Sequence, residues 1–234
     1  MLGQPKVKGE STHAPFYDRV GLFLLLAVGL YALMPVVHEV TFGEDRIINF
    51  VIQEVQHQTG SRLSDDGQEM ITQSVRDVPA SLTSAIGAFR ALFVVLISSG
   101  LLYAGAALAT ADHRMRHAVG YAAFTVLVVG LIRAFYWGVM VLALGLDNAV
   151  ARSWTEVAEI HAGLIVTGPQ SGVIYALLGS FSYVAIATWG LFAAGLKHMA
   201  KDNPDFGWGQ AVALAAPWPL LIMASTFTLR LFIG

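Results

Sequence analysis

A chain of 234 residues with 56% hydrophobic and only 13% charged residues is not composed like a soluble domain, where about 25% of residues carry charge. The net charge of −2 gives no concentrated basic face for nucleic acid. The absence of cysteine excludes disulfides, thiolate catalysis, iron–sulfur clusters and Cys-bound zinc.

The apolar residues fall in five blocks: Val20–His38, Ala88–Ala109, Val119–Leu146, Gly172–Leu196 and Gly209–Ile233. Each is close to or above the ~20 residues that carry a helix across ~30 Å of hydrocarbon. Backbone at that depth must satisfy its own hydrogen bonds, so an all-α, polytopic helical membrane protein with five transmembrane helices is predicted. In chain order this gives a cytoplasmic N-terminal segment (1–19), a first transmembrane helix (20–38) and an outer amphipathic helical segment (39–87). A first transmembrane hairpin (88–146), an outer interfacial helix (147–171) and a second hairpin (172–234) follow.

The N-terminal segment mixes Glu10 and Asp18 with Lys6, Lys8 and Arg19, and no small-x-small cleavage site follows the first apolar block. It reads as a retained anchor rather than a cleaved signal. In the outer segment, Ile47, Ile48, Val51, Ile52 and Val55 recur at helical spacing opposite Asn49, Gln53, Glu54 and Gln56. Gly60 offers that helix a stop. Ser64 can cap a second helix with Asp65 and Asp66 in its first turn. Met70, Ile71, Val75 and Val78 form its buried face, and Pro79 lies just past its end. The pair is expected to lie on the outer membrane surface or to cap the bundle. Ser153 and Glu156 have capping-box spacing and open a third interfacial helix, which Gly168-Pro169 ends.

Charge orients the bundle. Lys6, Lys8, Lys197 and Lys201 all fall on one side of a five-span chain, with Arg114 and Arg116 of the short turn Thr110–Ala118. Short basic loops stay in the cytoplasm, which predicts the N-terminus inside and the C-terminus outside. The segment Glu39–Gly87 has eight acids against three arginines and fits translocation. Arg90, Arg152 and Arg230 fall at or near the outer side and run against the bias.

A shift from Gly100 to Gly190 superimposes two hairpins without a gap. Gly100-Leu101 matches Gly190-Leu191, Ala104-Gly105 matches Ala194-Gly195, and Asp112 matches Asp202. Ala123 matches Ala213, and Leu131-Ile132 matches Leu221-Ile222. The hairpins would be parallel repeats about an axis along the membrane normal. Gly100/Ala104, Gly105/Ala109 and Gly190/Ala194 place small side chains one turn apart, a spacing that lets helices approach closely in lipid. They are expected to mark contacts within the chain.

Three residues are candidates for function. Arg133 lies in the third span, where a charge costs ~2.5–3.5 kcal/mol; it must snorkel or find a partner, and Tyr31 is one possibility. Pro217 and Pro219 in the fifth span each remove an amide and clash with the carbonyls of Ala213 and Ala215, which predicts a kink and free carbonyls of the kind that coordinate ions in transporters. The histidines do not converge. His38 is at the outer end of the first span, His113 and His117 are in the inner turn, and His198 is at the inner end of the fourth span. Ala194-x-x-x-His198 has the spacing of pigment-binding antenna helices. No catalytic, cofactor-binding or metal residue is predicted.

Two stretches resemble a known family: Thr110–Phe124, and the last hairpin with Trp189-x-Leu191-x-x-x-Gly195-Leu196-Lys197 followed by Phe206-Gly-Trp-Gly-Gln-Ala211. In these, and in the order of its features over about Val20–Leu229, the chain resembles the bacterial branch of the Yip (Rab-interacting-protein) membrane family. It departs where that family often has a glycine-rich first turn, here Asp112-His-Arg-Met-Arg-His117. The resemblance implies five spans, a bacterial inner membrane and a non-enzymatic role. The expectation is an accessory or scaffolding subunit of a membrane assembly, with the lipid bilayer and other membrane subunits as partners. The alternative is a small transporter or channel that uses Arg133 and the proline kink.

Overall fold

The computed structural model describes residues 19–59, 62–109, 115–145, 182–221 and 224. The segment from Ser153 to Pro169, Gly60, His113, Arg114, Arg152 and Arg230 lie outside the described residues, as does the start of the fourth predicted span. The described residues form seven helices: α1 (Val20–Phe42), α2 (Glu44–Thr59), α3 (Asp65–Arg76), α4 (Ala80–Ala109), α5 (Met115–Leu144), α6 (Tyr183–Met199) and α7 (Trp208–Ala215). Of these, α1, α4 and α5 are long and apolar enough to span a membrane.

The helices overrun the apolar blocks. The first continues past His38 to Phe42. The second begins at Ala80, well before Ala88; Pro79 starts it, and its carbonyl accepts from the amides of Leu82 and Thr83. Proline is tolerated there because the first amides of a helix have no internal acceptor.

The core is a three-helix group of α1, α4 and α5. The first and last run parallel, with cross-contacts that keep a near-constant sequence offset. Phe23 meets Phe124 edge-on at 5.4 Å, and His38 stacks on Trp137 at 4.6 Å. Between them, an ideal Cβ on Gly130 would fall 2.7 Å from Leu30 Cδ2 and 2.9 Å from Tyr31 Cε2. Tyr31 is held on its other side by α4, where a Cβ on Gly87 would fall 2.2 Å from the Tyr31 carbonyl oxygen. That carbonyl is the one deprived of its helical donor by Pro35, inside α1. A glycine Cα hydrogen points at the oxygen instead, a contact worth ~0.5–1 kcal/mol at helix interfaces.

The second hairpin packs beside the first. Gly105 of α4 closes on Leu196 of α6, and its repeat mate Gly195 closes on Tyr121 of α5. Tyr136 meets Tyr183 at 5.5 Å, so α6 runs antiparallel to α5 and parallel to α4. At the turn end, the Asn203 side-chain amide donates to the Ala109 carbonyl at 2.8 Å, capping the free C-terminus of α4. Asn203 Oδ1 accepts from the Asp205 amide, Lys197 donates to the Phe206 carbonyl, and Gln210 Oε1 accepts from the Gly207 amide. Several of the residues that carry the family resemblance therefore build this turn.

At the predicted outer end, Gly43 adopts φ 77°, which breaks α1 and turns α2 back over the bundle. Phe42 gathers Ile47 and Val51 of α2 with Trp137 and Val141 of α5, and Ile48 is buried. The α2 stripe thus caps the bundle. Ser64 Oγ accepts from the Gly67 amide at 3.2 Å, as its capping role requires. The expected buried face of α3 is only partly covered: Ile71 and Val75 are half-buried, while Met70 is 69% exposed and Val78 is exposed too. Among the described residues α3 packs mainly on α2, tied by an exposed Arg76–Glu44 ion pair at 2.8 Å of the kind worth ~0–1 kcal/mol.

The small-residue pairs also divide. Gly105 and Ala109 are buried, whereas Gly100, Ala104, Gly190 and Ala194 are exposed, so of the three pairs Gly105/Ala109 alone serves packing among the described residues. Gly87→Ala should destabilise the protein by about 1–3 kcal/mol or more, because the obstructing atom is backbone and cannot move aside. Gly100→Ala, with nothing within 4 Å of the new methyl, should leave the melting temperature in detergent unchanged.

Candidate functional site

Arg133 sits on α5, half-buried, one turn before Trp137. Above it His38, Phe42 and Trp137 form an aromatic cluster, with Phe42 edge-on to Trp137 at 5.4 Å. His38 Nε2 and Trp137 Nε1 are closed off from solvent and have no hydrogen-bond partner among the described residues. Enclosed polar atoms of this kind cost ~1–3 kcal/mol each.

Pro217 and Pro219 act as expected on the helix and differently on its carbonyls. The helix is interrupted at Ala216, whose amide turns from the usual acceptor, Val212, to Ala213 at 3.2 Å. This fills the carbonyl that Pro217 cannot serve. The Val212 carbonyl then accepts from Trp189 Nε1 at 2.8 Å. The Ala213 and Val212 carbonyls are thus engaged within the chain. Trp218 stacks on Phe192 at 5.8 Å. Pro217 is exposed and Pro219 buried.

Beside Pro217 and Trp218 is a small cleft lined by Leu101, Leu102, Phe192, Leu196, Leu214 and Ala215, with a volume of about 20 Å³. It has room for about one water, and the indole of Trp218 is the one lining side chain with a polar group. The structure does not bring the three predicted residues together. Leu196 and its neighbour Gly195 set the cleft level with Tyr121, and from Tyr121 to Arg133 the helix rises about 18 Å.

A residue of note on sequence grounds only as an exception to the charge bias is Arg90. Because Gly87 rests on Tyr31 and α4 runs antiparallel to α1, Arg90 stands level with Val28. At 1.5 Å per residue that is about 12 Å from Val20 and about 21 Å from Phe42. The Gly87–Tyr31 contact thus sets Arg90 opposite the middle of α1. The block appeared to start at Ala88, but the helix starts at Ala80, which carries Arg90 inward. Arg90 is exposed and makes no hydrogen bond or ion pair among the described residues. The only acid within α1, α4 or α5 is Glu39, near the end of α1.

His198 lies exposed at the turn end, 5.8 Å from Tyr121. Among the described residues no group of His, Asp and Glu could hold a metal ion. Trp189→Phe keeps the ring and strands the Val212 carbonyl. The bond is exposed, so its loss should cost about 0.5–1.5 kcal/mol, read as a lower melting temperature in detergent.

Compared with known protein families, characterised proteins and solved structures, the chain matches none of them.

Proposed function

We propose that the chain is a non-enzymatic, five-span integral membrane protein of Yip-like architecture that serves as an accessory or scaffolding subunit of a membrane assembly. On this reading it lies in a bacterial inner membrane, with its N-terminus in the cytoplasm and its C-terminus outside. The observation that carries the proposal is the interior. Ala27, Ala91, Ala106, Ala118, Ala122 and Ala123 are almost wholly buried and bring the helices close, as packing in lipid requires.

A transporter would need a polar route linking Arg133 to the Pro217–Pro219 kink. The ~18 Å between them is lined along α5 by buried Ala122, Ala123, Val126 and Val129, with Thr125 a buried polar residue among them, and the Ala213 carbonyl at the kink is engaged. These features favour a rigid, packed body over a moving one. The exposed apolar side chains of α4, among them Phe89, Phe93 and Leu96, leave it a broad surface for lipid and other subunits.

Extraction in a mild detergent, followed by native mass spectrometry, tests the proposal. The expected result is a defined complex with other membrane chains in fixed ratio. A lone chain that moves a solute in proteoliposomes would overturn it. Reporter fusions test the orientation separately: a fusion after Gly234 should be active outside the cytoplasm and one at Asp202 inside. A cytoplasmic C-terminus would refute five spans.

A further inference from the structure

We infer that the exposed face of α4 centred on Arg90 docks a transmembrane helix of a different protein, one that carries an aspartate or glutamate at mid-depth. The inference rests on the membrane-subunit reading and adds to it the surface and the chemistry of the partner.

A guanidinium midway along a spanning helix is tolerated when it is paired, when it meets water, or when it snorkels to an interface. Arg90 stands about 12 Å from the nearer end of α1 at 1.5 Å per residue, more than its side chain can reach. Among the described residues it has no partner, and the core helices hold no mid-depth acid to supply one. Its neighbours Ile86, Phe93 and Ile97 are exposed and apolar. Charge complementarity therefore calls for a carboxylate that the described residues do not supply.

The face around Arg90 has the form of a helix-packing seam. Ile86, Arg90, Phe93, Ile97, Gly100 and Ala104 follow one another at alternating steps of four and three, and all six are exposed. Alternating steps of this kind keep one stripe of a helix facing one partner. Open space surrounds Gly100, and with Ala104 one turn on it lets a second backbone approach closely. A second copy is the wrong occupant. Symmetric parallel pairing through this stripe would set Arg90 against Arg90, doubling the charge where it must be neutralised.

In the full chain in its native membrane, a photoreactive residue at Ile97 should form an adduct with another protein. Peptide mapping should place the adduct in an apolar helix with an Asp or Glu within about one turn of it. Arg90→Leu should lower adduct yield at least tenfold, since losing one member of a buried ion pair is strongly destabilising, while Arg90→Lys retains most of it. Arg90→Asp combined with a change of the partner's acid to Arg should restore it. The melting temperature of purified Arg90→Leu should be unchanged or higher, and Gly100→Leu should block the adduct without touching the charge. Adducts only with lipid, adducts of the chain with itself, undiminished yield in Arg90→Leu, or a strongly lowered melting temperature for that variant would each overturn the inference. If other subunits co-extract while Ile97 yields only lipid adducts, this surface is wrong and the subunit reading stands. If the chain extracts alone, both fall.

Discussion

The structure depends on one carbonyl. Pro35 leaves the Tyr31 oxygen without its helical donor, and in a bundle that excludes water an unserved carbonyl needs another neighbour. Gly87 supplies it by bringing α4 backbone onto the oxygen, at a distance that no side chain would permit. Gly130 does the same for the Tyr31 ring from α5. Two glycines on two helices thus clamp one residue of α1 and fix the relative height of all three. Everything said about depth, including the level of Arg90, follows from that register.

From this clamp the bundle grows by close approach of small residues. Apolar burial does little to drive helices together in lipid, where the tails are as apolar as leucine. The work falls to alanines in the core helices and to Gly105 and Gly195, repeat mates that each admit a large side chain from a neighbouring helix. Polar bonds are kept for places where the backbone is irregular. Asn203 caps α4 from the turn of the other hairpin, and Trp189 serves the Val212 carbonyl displaced by the proline break. Removing either bond takes from a backbone carbonyl its side-chain donor.

Much of this was legible in the sequence where local chemistry is strong. The apolar blocks marked three spanning helices, Ser64 capped its helix, the stripe from Ile47 to Val55 formed an amphipathic helix, and the prolines broke theirs. Other features depend on what lies opposite, which periodicity does not report. Spacing alone could not separate Gly105/Ala109, which faces α6, from Gly100/Ala104, which faces outward. It could not show that α3 lacks a second surface on which to bury Met70. Pro217 and Arg133 looked like parts of one site, although the fold sets them far apart along α5. Arg90 lies near the edge of an apolar block in sequence, and only the contact between Gly87 and Tyr31 shows that it stands opposite the middle of α1.

The account stands on the depth of Arg90, and the cysteine-free chain allows a direct measurement. Single spin labels at Ala80, Arg90 and Val28, in the full chain reconstituted into liposomes, can be compared by collision with oxygen and with a water-soluble nickel reagent. The register predicts that labels at Arg90 and Val28 share one depth, well inside the bilayer, with high oxygen and low nickel accessibility, and that Ala80 lies near an interface. A label at Arg90 with the same nickel accessibility as one at Ala80 would contradict the register and the interpretation built on it.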